Sequence, residues 1–459
     1  MPEKNQVTEN KMGQAPMLKL ILSMSLPAMF SMLIQSLYNV VDSIFVAQIG
    51  QDALTAVTLA FPIQMLLIAV AVGTAIGINS VVSRRLGEGK QEQANKAATH
   101  GLFLGIISGA VFAILGIFFT RPFFEAFTSN QDVIQMGCDY IYVVTICSFA
   151  VFLQINIEKT LQATGNMIYP MLFQLSGAIT NIILDPILIF GLFGFPVLGV
   201  KGAAIATVAG QIVAMIFSML IIHYKSHDVH MSFRGFRFEW KTVKDIYAVG
   251  IPSIIMQSIG FILTTALNAI LIGFGNVAVN VYGIYFKLQS FVFMPVFGLT
   301  HGLMPILGFN YGARKRERVV SALKIGMVIA SIIMGIGTLI FMIIPDKLLL
   351  LFNADAEMLE IGTVALRLLS ICFVPAAIGI TSSTLFQAIG LGTKSLIVSV
   401  LRQLVILLPL AYAFSFIGLN FVWLAFPISE TCALFVALFL LYRVFKKNID
   451  AVMPKETSL

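Results

Sequence analysis

Charge is scarce in this chain. Only 11% of its 459 residues are Asp, Glu, Lys or Arg, against about 25% in soluble domains. With 58% hydrophobic residues and a mean hydropathy of +0.93, no segment is polar enough to fold as a soluble domain, so most of the surface must face lipid. Cysteine is sparse too. Cys138, Cys147, Cys372 and Cys432 sit in or beside apolar segments without CxxC or Cys/His spacing, and read as buried inert thiols rather than metal or redox centres. No GxxxxGK[ST] loop is present and there is no room for a soluble ATPase, which argues against nucleotide-driven work. No nucleophile–base set or metal motif points to an enzyme. The polar stretch Met1 to Pro16 lacks the apolar core and cleavage site of a signal peptide, so the first apolar run is expected to act as the insertion signal.

What is present is a succession of apolar runs long enough to cross a bilayer, near or above 18 residues. They are read at 17–46, 53–83, 93–119, 133–160, 166–193, 200–224, 243–272, 278–309, 318–344, 357–389, 394–417 and 420–445. The expected fold class is therefore an all-α polytopic membrane protein of twelve transmembrane helices. An even number of spans puts both termini on one side. If that side is the cytoplasm, only Arg121, Lys201 and Lys347 fall in outer loops, and Lys287, Arg367 and Arg402 fall within spans. Every other basic residue of the 29 is then internal, as the positive-inside rule requires. The net charge of +7 is thus topological and gives no reason to expect nucleic acid as a partner. Trp240 reads as an interfacial anchor. His223, His227 and His230 cluster at the inner surface without metal spacing and read as a solvated loop.

The longest polar stretch, Lys225 to Lys244, divides the chain near its middle, and the halves repeat at a shift of 225 residues. Pro27 pairs with Pro252, Gly73 with Gly298, Gly77 with Gly302, Gly87 with Gly312 and Cys147 with Cys372. Gln162-Ala163-x-Gly165 pairs with Gln387-Ala388-x-Gly390. The expected organisation is an N-terminal tail (1–16), an N-lobe of helices one to six (17–224), a linker (225–242), a C-lobe of helices seven to twelve (243–445) and a C-terminal tail (446–459), with both tails and the linker cytoplasmic. Six spans per half give the two lobes the same orientation, related by an axis along the membrane normal. That design suits alternating access driven by an ion gradient.

Ionisable groups within spans are costly and are candidates for function. Asp42 lies in the first span. Asn181 and Asp185 lie one helical turn apart in the fifth, on one face, and Pro186 cannot donate its N–H, which frees a nearby carbonyl. Carboxylates, a carboxamide and a carbonyl are hard oxygen ligands for a small cation. Two close carboxylates also resist joint ionisation. The chemistry fits H+ and Na+ equally, and the alternative is a set of satisfied polar groups in helix packing. Glu158 is either a substrate contact or an interfacial acid. Lys287, Arg367, Arg402 and Glu430 are either a charge network that offsets burial or part of a substrate site. His301 is either a proton relay or a hydrogen-bonded packing residue. The 21 Met and 38 Phe suit promiscuous apolar and cation–π contacts.

Taken together, Pro27, Val41-Asp42 before Gly50, the two Gln-Ala-x-Gly motifs, Asn181-Ile-Ile-Leu-Asp185-Pro186-Ile-Leu-Ile-Phe190-Gly191, Gly199-Val-x-Gly202-Ala-Ala and Glu430-Thr-Cys432-Ala-Leu resemble the multidrug and toxic compound extrusion (MATE) family, and within it the MepA-like branch of bacterial pumps. The resemblance implies a V-shaped pair of six-helix bundles in the bacterial cytoplasmic membrane. It implies export of amphipathic cationic drugs or dyes by a monomer, in antiport with H+ or Na+ and without a further cofactor. Asp42, Asn181 and Asp185 match the family's N-lobe cation site and Thr207 matches a further ligand; Asn39, three residues from Asp42, is either a supporting contact or an ordinary hydrogen-bonded residue. Pro27 would help the first helix to bend. One branch of the family carries acids in helices seven and ten. Neither Ile251–Phe261 nor the segment around Gly379 has one, so coupling is expected in the N-lobe alone. The rival readings are a flippase of a lipid-linked precursor, which would favour a strongly basic cavity, and a non-transporting receptor, which would have no use for the buried acids.

Overall fold

The computed structural model describes residues 10–225 and 228–451, without the side chains of Asn39, Val40, Ser43 and Ala47. His227 and the suggested role of Asn39 therefore lie outside the described residues, as do the outer parts of both tails. Among the described residues ten helices are long and apolar enough to span a membrane, and two bent pairs bring the number to twelve. The spans are α1 (Met17–Ile49), α2 (Gln51–Gly87), α3 (Gln91–Phe127), α4a (Gln131–Ile146) with α4b (Phe149–Ala163), α5 (Ile168–Phe190) and α6 (Gly199–Tyr224). The second half holds α7 (Trp240–Leu271), α8 (Asn276–Gly312), α9 (Arg316–Ile343), α10a (Ala356–Ser370) with α10b (Phe373–Ala388), α11 (Gly392–Ser415) and α12 (Leu419–Val444). Helices α2, α3 and α8 each run for 37 residues. At 1.5 Å per residue they far exceed a hydrocarbon layer of about 30 Å, so their ends extend past it.

The repeat in sequence reappears as a repeat in shape. The fourth span breaks by 46° and the tenth by 43°, at the paired residues Cys147 and Cys372. Both Gln-Ala-x-Gly motifs end a helix with a left-handed glycine, Gly165 at φ +90° and Gly390 at φ +87°, whose N–H donates to the glutamine carbonyl three residues back. A side chain there would strain the turn. Cys138 and Cys372 are buried as expected and Cys147 is partly so, but Cys432 is exposed on α12.

The halves meet through α1 against α8 and α2 against α7, two pairings that exchange under the 225-residue shift. Glycine makes the approach possible. A Cβ on Gly73 would meet Ile254 of α7, and one on Gly298 would meet Met29 of α1; these are the same contact in the two repeats. Likewise Gly87 packs on Phe309 and Gly312 on Arg84. These reciprocal contacts establish the pseudo-twofold relation of the lobes. Among the described residues, every hydrogen bond between the halves lies toward the face that carries the termini. Examples are Ser25 Oγ to Leu299 O, Ser80 Oγ to Gln387 O and the ion pair of Arg85 with Asp245. At the opposite face the hairpin glycines Gly50 and Gly275 have nothing within 4 Å of a Cβ position. The lobes are thus closed on the termini face and splayed on the other.

Candidate functional site

The N-lobe polar cluster is built where α5 and α6 nearly touch. A Cβ on Gly177 would lie 3.1 Å from Gly210 O, and one on Gly210 would lie 2.6 Å from Gly177 O. That approach brings Thr207 of α6 onto the buried face of α5, where Asn181 and Asp185 are 2% and 0% exposed. Asn181 Nδ2 donates to Asp185 Oδ1 and to Thr207 Oγ1, both at 3.3 Å. From α1, Asp42 stands beside Asp185 and Tyr38 beside Thr207. Two ionised carboxylates can only accept, so neighbouring acids are held together best with a proton or a cation between them. The structure therefore brings all four expected residues together.

Three oxygens decide what the cluster can do. Asp42 Oδ1, Asn181 Oδ1 and Asp185 Oδ2 are buried and have no hydrogen-bond partner among the described residues. Buried polar atoms are normally satisfied, and one left unpaired costs about 1–3 kcal/mol. Two carboxylates and an amide carbonyl in one buried cluster are the donor set that suits a small hard cation or a shared proton. Pro186 follows Asp185 inside α5 and deprives the Ile182 carbonyl of its helical donor. Pro27 lies inside α1, which continues through it, and Ser31 Oγ donates to the Pro27 carbonyl at 3.0 Å.

Residue patterns missed part of this shell. Tyr38 stands one turn before Asp42, a spacing that could have flagged it. Gln64 Nε2 donates to Tyr140 OH at 2.6 Å, and this pair from α2 and α4a had no signal in the sequence because neither residue is charged.

Glu158 is no interfacial acid. It is 3% exposed and accepts from Gln154, Gln162 and Gln174 at 2.9, 3.0 and 3.1 Å, with Lys159 Nζ at 3.9 Å. The polar face of α4b is turned into the seam, where Lys159 also reaches Gln162 Oε1 at 2.9 Å and His301 Nδ1 of α8 at 3.3 Å. His301 is thus a hydrogen-bonded seam residue. In the C-lobe the four-residue charge network does not form. Arg402 pairs with Glu430 at 3.3 Å from a π-helical stretch, Leu401–Leu407, whose register turns Arg402 toward α12. Arg367 instead donates to Met342 O at 3.2 Å, and Lys287 lies 5.9 Å over the Phe352 ring. These two long side chains therefore find their partners away from Glu430. The sequence also left His100 unremarked. It is fully buried, with Nδ1 on Lys96 O and Nε2 accepting from the Glu239 N–H, which ties α3 to the linker.

Comparison with known proteins gives a concordant picture. Residues 27–187 and 252–413 each match the sequence model of the MatE family, one match per lobe. The chain is 28% identical to an FAD transporter of Shewanella oneidensis over 91% of this chain and 92% of that one. It is 25% identical to the multidrug export protein MepA of Staphylococcus haemolyticus over 94% of each chain. Among solved structures, the outward-facing conformation of a multidrug resistance MATE family transporter of the MOP superfamily superposes with TM-score 0.90 at 29% identity, covering 97% of this chain and 98% of that one. A MOP superfamily transporter from Pyrococcus furiosus, described by the reverse polarity of its binding pocket, gives 0.89 at 29% identity over 95% and 98%.

Proposed function

The chain belongs to the MatE family, and from that premise we propose that it exports amphipathic organic cations across the bacterial cytoplasmic membrane in exchange for H+ or Na+ bound at Asp42 and Asp185. The observation that carries the ion site is the set of three unpartnered buried oxygens on Asp42, Asn181 and Asp185. With the coupling ion in place, its positive charge would hold α1 against α5 through Asp42. Without it, two acids in contact would repel and α1 would move, with Pro27 as a place to bend. Ion binding and the shape of the N-lobe cavity are then one equilibrium, as antiport requires. Thr207 and Tyr38 would orient Asn181 and complete the shell.

The basic residues on the termini face support placing both termini in the cytoplasm. The cleft then opens outward, toward the side of release. One chain supplies both lobes, which supports a working monomer. The names of the relatives, multidrug export and FAD transport, differ in substrate, so the cargo must be argued from the cavities of this chain. The few cations embedded in the spans disfavour a flippase.

The test is efflux of ethidium from proteoliposomes under a proton or a Na+ gradient. Efflux should follow one gradient and fall at least about tenfold in Asp42→Asn and Asp185→Asn, a loss of about 1.4 kcal/mol or more in driving the transition. Wild-type rates in both variants would overturn the ion site, and the effective gradient names the ion.

A further inference from the structure

A cavity of about 590 Å³ lies in the C-lobe between α7, α8 and the start of α10a, toward the splayed face. Its volume is that of a drug-sized ligand site. Thr264, Asn268, Asn280 and Tyr282 supply neutral polar groups and Phe352 an aromatic wall; among the described residues Lys287 is the one charge and no carboxylate lines it. Among the described residues Lys287 has no acidic partner, and the Phe352 face at 5.9 Å is near the limit of a cation–π contact. An uncompensated ammonium in a span costs free energy, and walls of low dielectric focus its field on whatever enters.

The repeat shows that this charge is no inherited framework residue. Under the 225-residue shift Lys287 corresponds to Pro62, while Asp42 and Asp185 correspond to Leu267 and Leu410. The acids of the N-lobe have become leucines in the C-lobe, and a cation has appeared where the N-lobe has none. The two lobes therefore differ in the charge they hold at equivalent positions.

We propose that this C-lobe cavity is a subsite for the anionic group, carboxylate or phosphate, of an aromatic amphipathic compound, with Lys287 as its counter-charge. The amides and hydroxyls around it would donate to the same anion, and Phe352 would cover the aromatic body. The proposal rests on the transporter reading and extends its cargo from cations to anionic or zwitterionic aromatics.

The experiment titrates carboxyfluorescein by fluorescence anisotropy onto the full chain in phosphatidylcholine proteoliposomes, comparing wild type, Lys287→Gln and Lys287→Arg. Saturable binding should weaken about tenfold or more in Lys287→Gln and be largely kept in Lys287→Arg, which retains the charge and guards against misfolding. Equal affinity in wild type and Lys287→Gln, or no saturable binding to wild type, would overturn the subsite. Phosphatidylglycerol added to the vesicles separates the two sources of anion. Displacement of the dye by this lipid would assign Lys287 to a headgroup and overturn the cargo proposal, while undisturbed binding supports it. Ethidium efflux, measured in parallel on wild type and Asp42→Asn, fails or succeeds independently, so loss of the cation-export reading would leave a Lys287-dependent dye site standing.

Discussion

Glu158 shows how far residue type alone can mislead inside a membrane. Near the end of an apolar run, an acid is expected to reach for the headgroups; here three glutamine amides and a lysine hold it in the seam between the lobes. Breaking such a buried pair from one side leaves an uncompensated charge, at a cost of about 3 kcal/mol. Lys159→Met should therefore lower the unfolding temperature in detergent more than the double variant Glu158→Gln with Lys159→Met, in which no charge remains. Equal losses would mean that the pair contributes nothing beyond packing. By contrast Asn181 and Asp185 were legible, because a one-turn spacing fixes a shared face on any helix. Gln64 was not, because its partner Tyr140 comes from another helix; Gln154 and Gln162 flank Glu158 by one turn on its own helix, but its burial depends on how the helices rotate.

At the scale of the helix, the twelve spans and their doubling were readable from hydropathy and the constant shift. The bends in the fourth and tenth spans were not, since Cys147 and Cys372 occupy them where a proline or glycine would have announced a break. Nor was the π-helical register of α11. The paired glycines carry the strongest prediction at this scale. Gly87 and Gly312 let α2 and α8 meet backbone to backbone on the closed face, and neither helix can move aside without opening it. Gly87→Val and Gly312→Val should each cost about 1–3 kcal/mol of overpacking and lower efflux by similar factors, as the repeat relates them. Gly260 in α7 has nothing within 4 Å of a Cβ. Gly260→Ala should instead match or exceed wild type in thermal stability, gaining up to about 1 kcal/mol of helix propensity. If Gly87→Val were as harmless as Gly260→Ala, the glycine seam would not be what holds that face shut.

Over the whole molecule, the question is which forces keep one face closed while the other gapes, and here the sequence is silent, because both states share it. Ion pairs are present on the closed face, Arg85 with Asp245 and Lys96 with Glu239, but both bonds are partly exposed and such pairs contribute little. The hydrogen bonds from Lys96 and Thr242 set Glu239 below its ordinary value of 4.5. Its share of closure is therefore complete above that value and is lost as pH falls through the depressed one. Closure should then be insensitive to pH between about 5 and 8 at this clamp, and any change across that range must come from another group. Packing of the glycine seam is the main restraint, and it can be exchanged for packing at the far end if the lobes rock. Spin labels report this directly. Once Cys138, Cys147, Cys372 and Cys432 are replaced, labels at Gln51→Cys and Asn276→Cys mark the two exposed hairpin tips on the splayed face, and labels at Gly89→Cys and Arg314→Cys mark the α2–α3 and α8–α9 turns on the closed one. Under a gradient with substrate present, the first distance should gain a shorter population and the second a longer one, in the same proportion. A change confined to one face would mean that a single helix gates the cleft, with α1 and its Pro27 the element to follow.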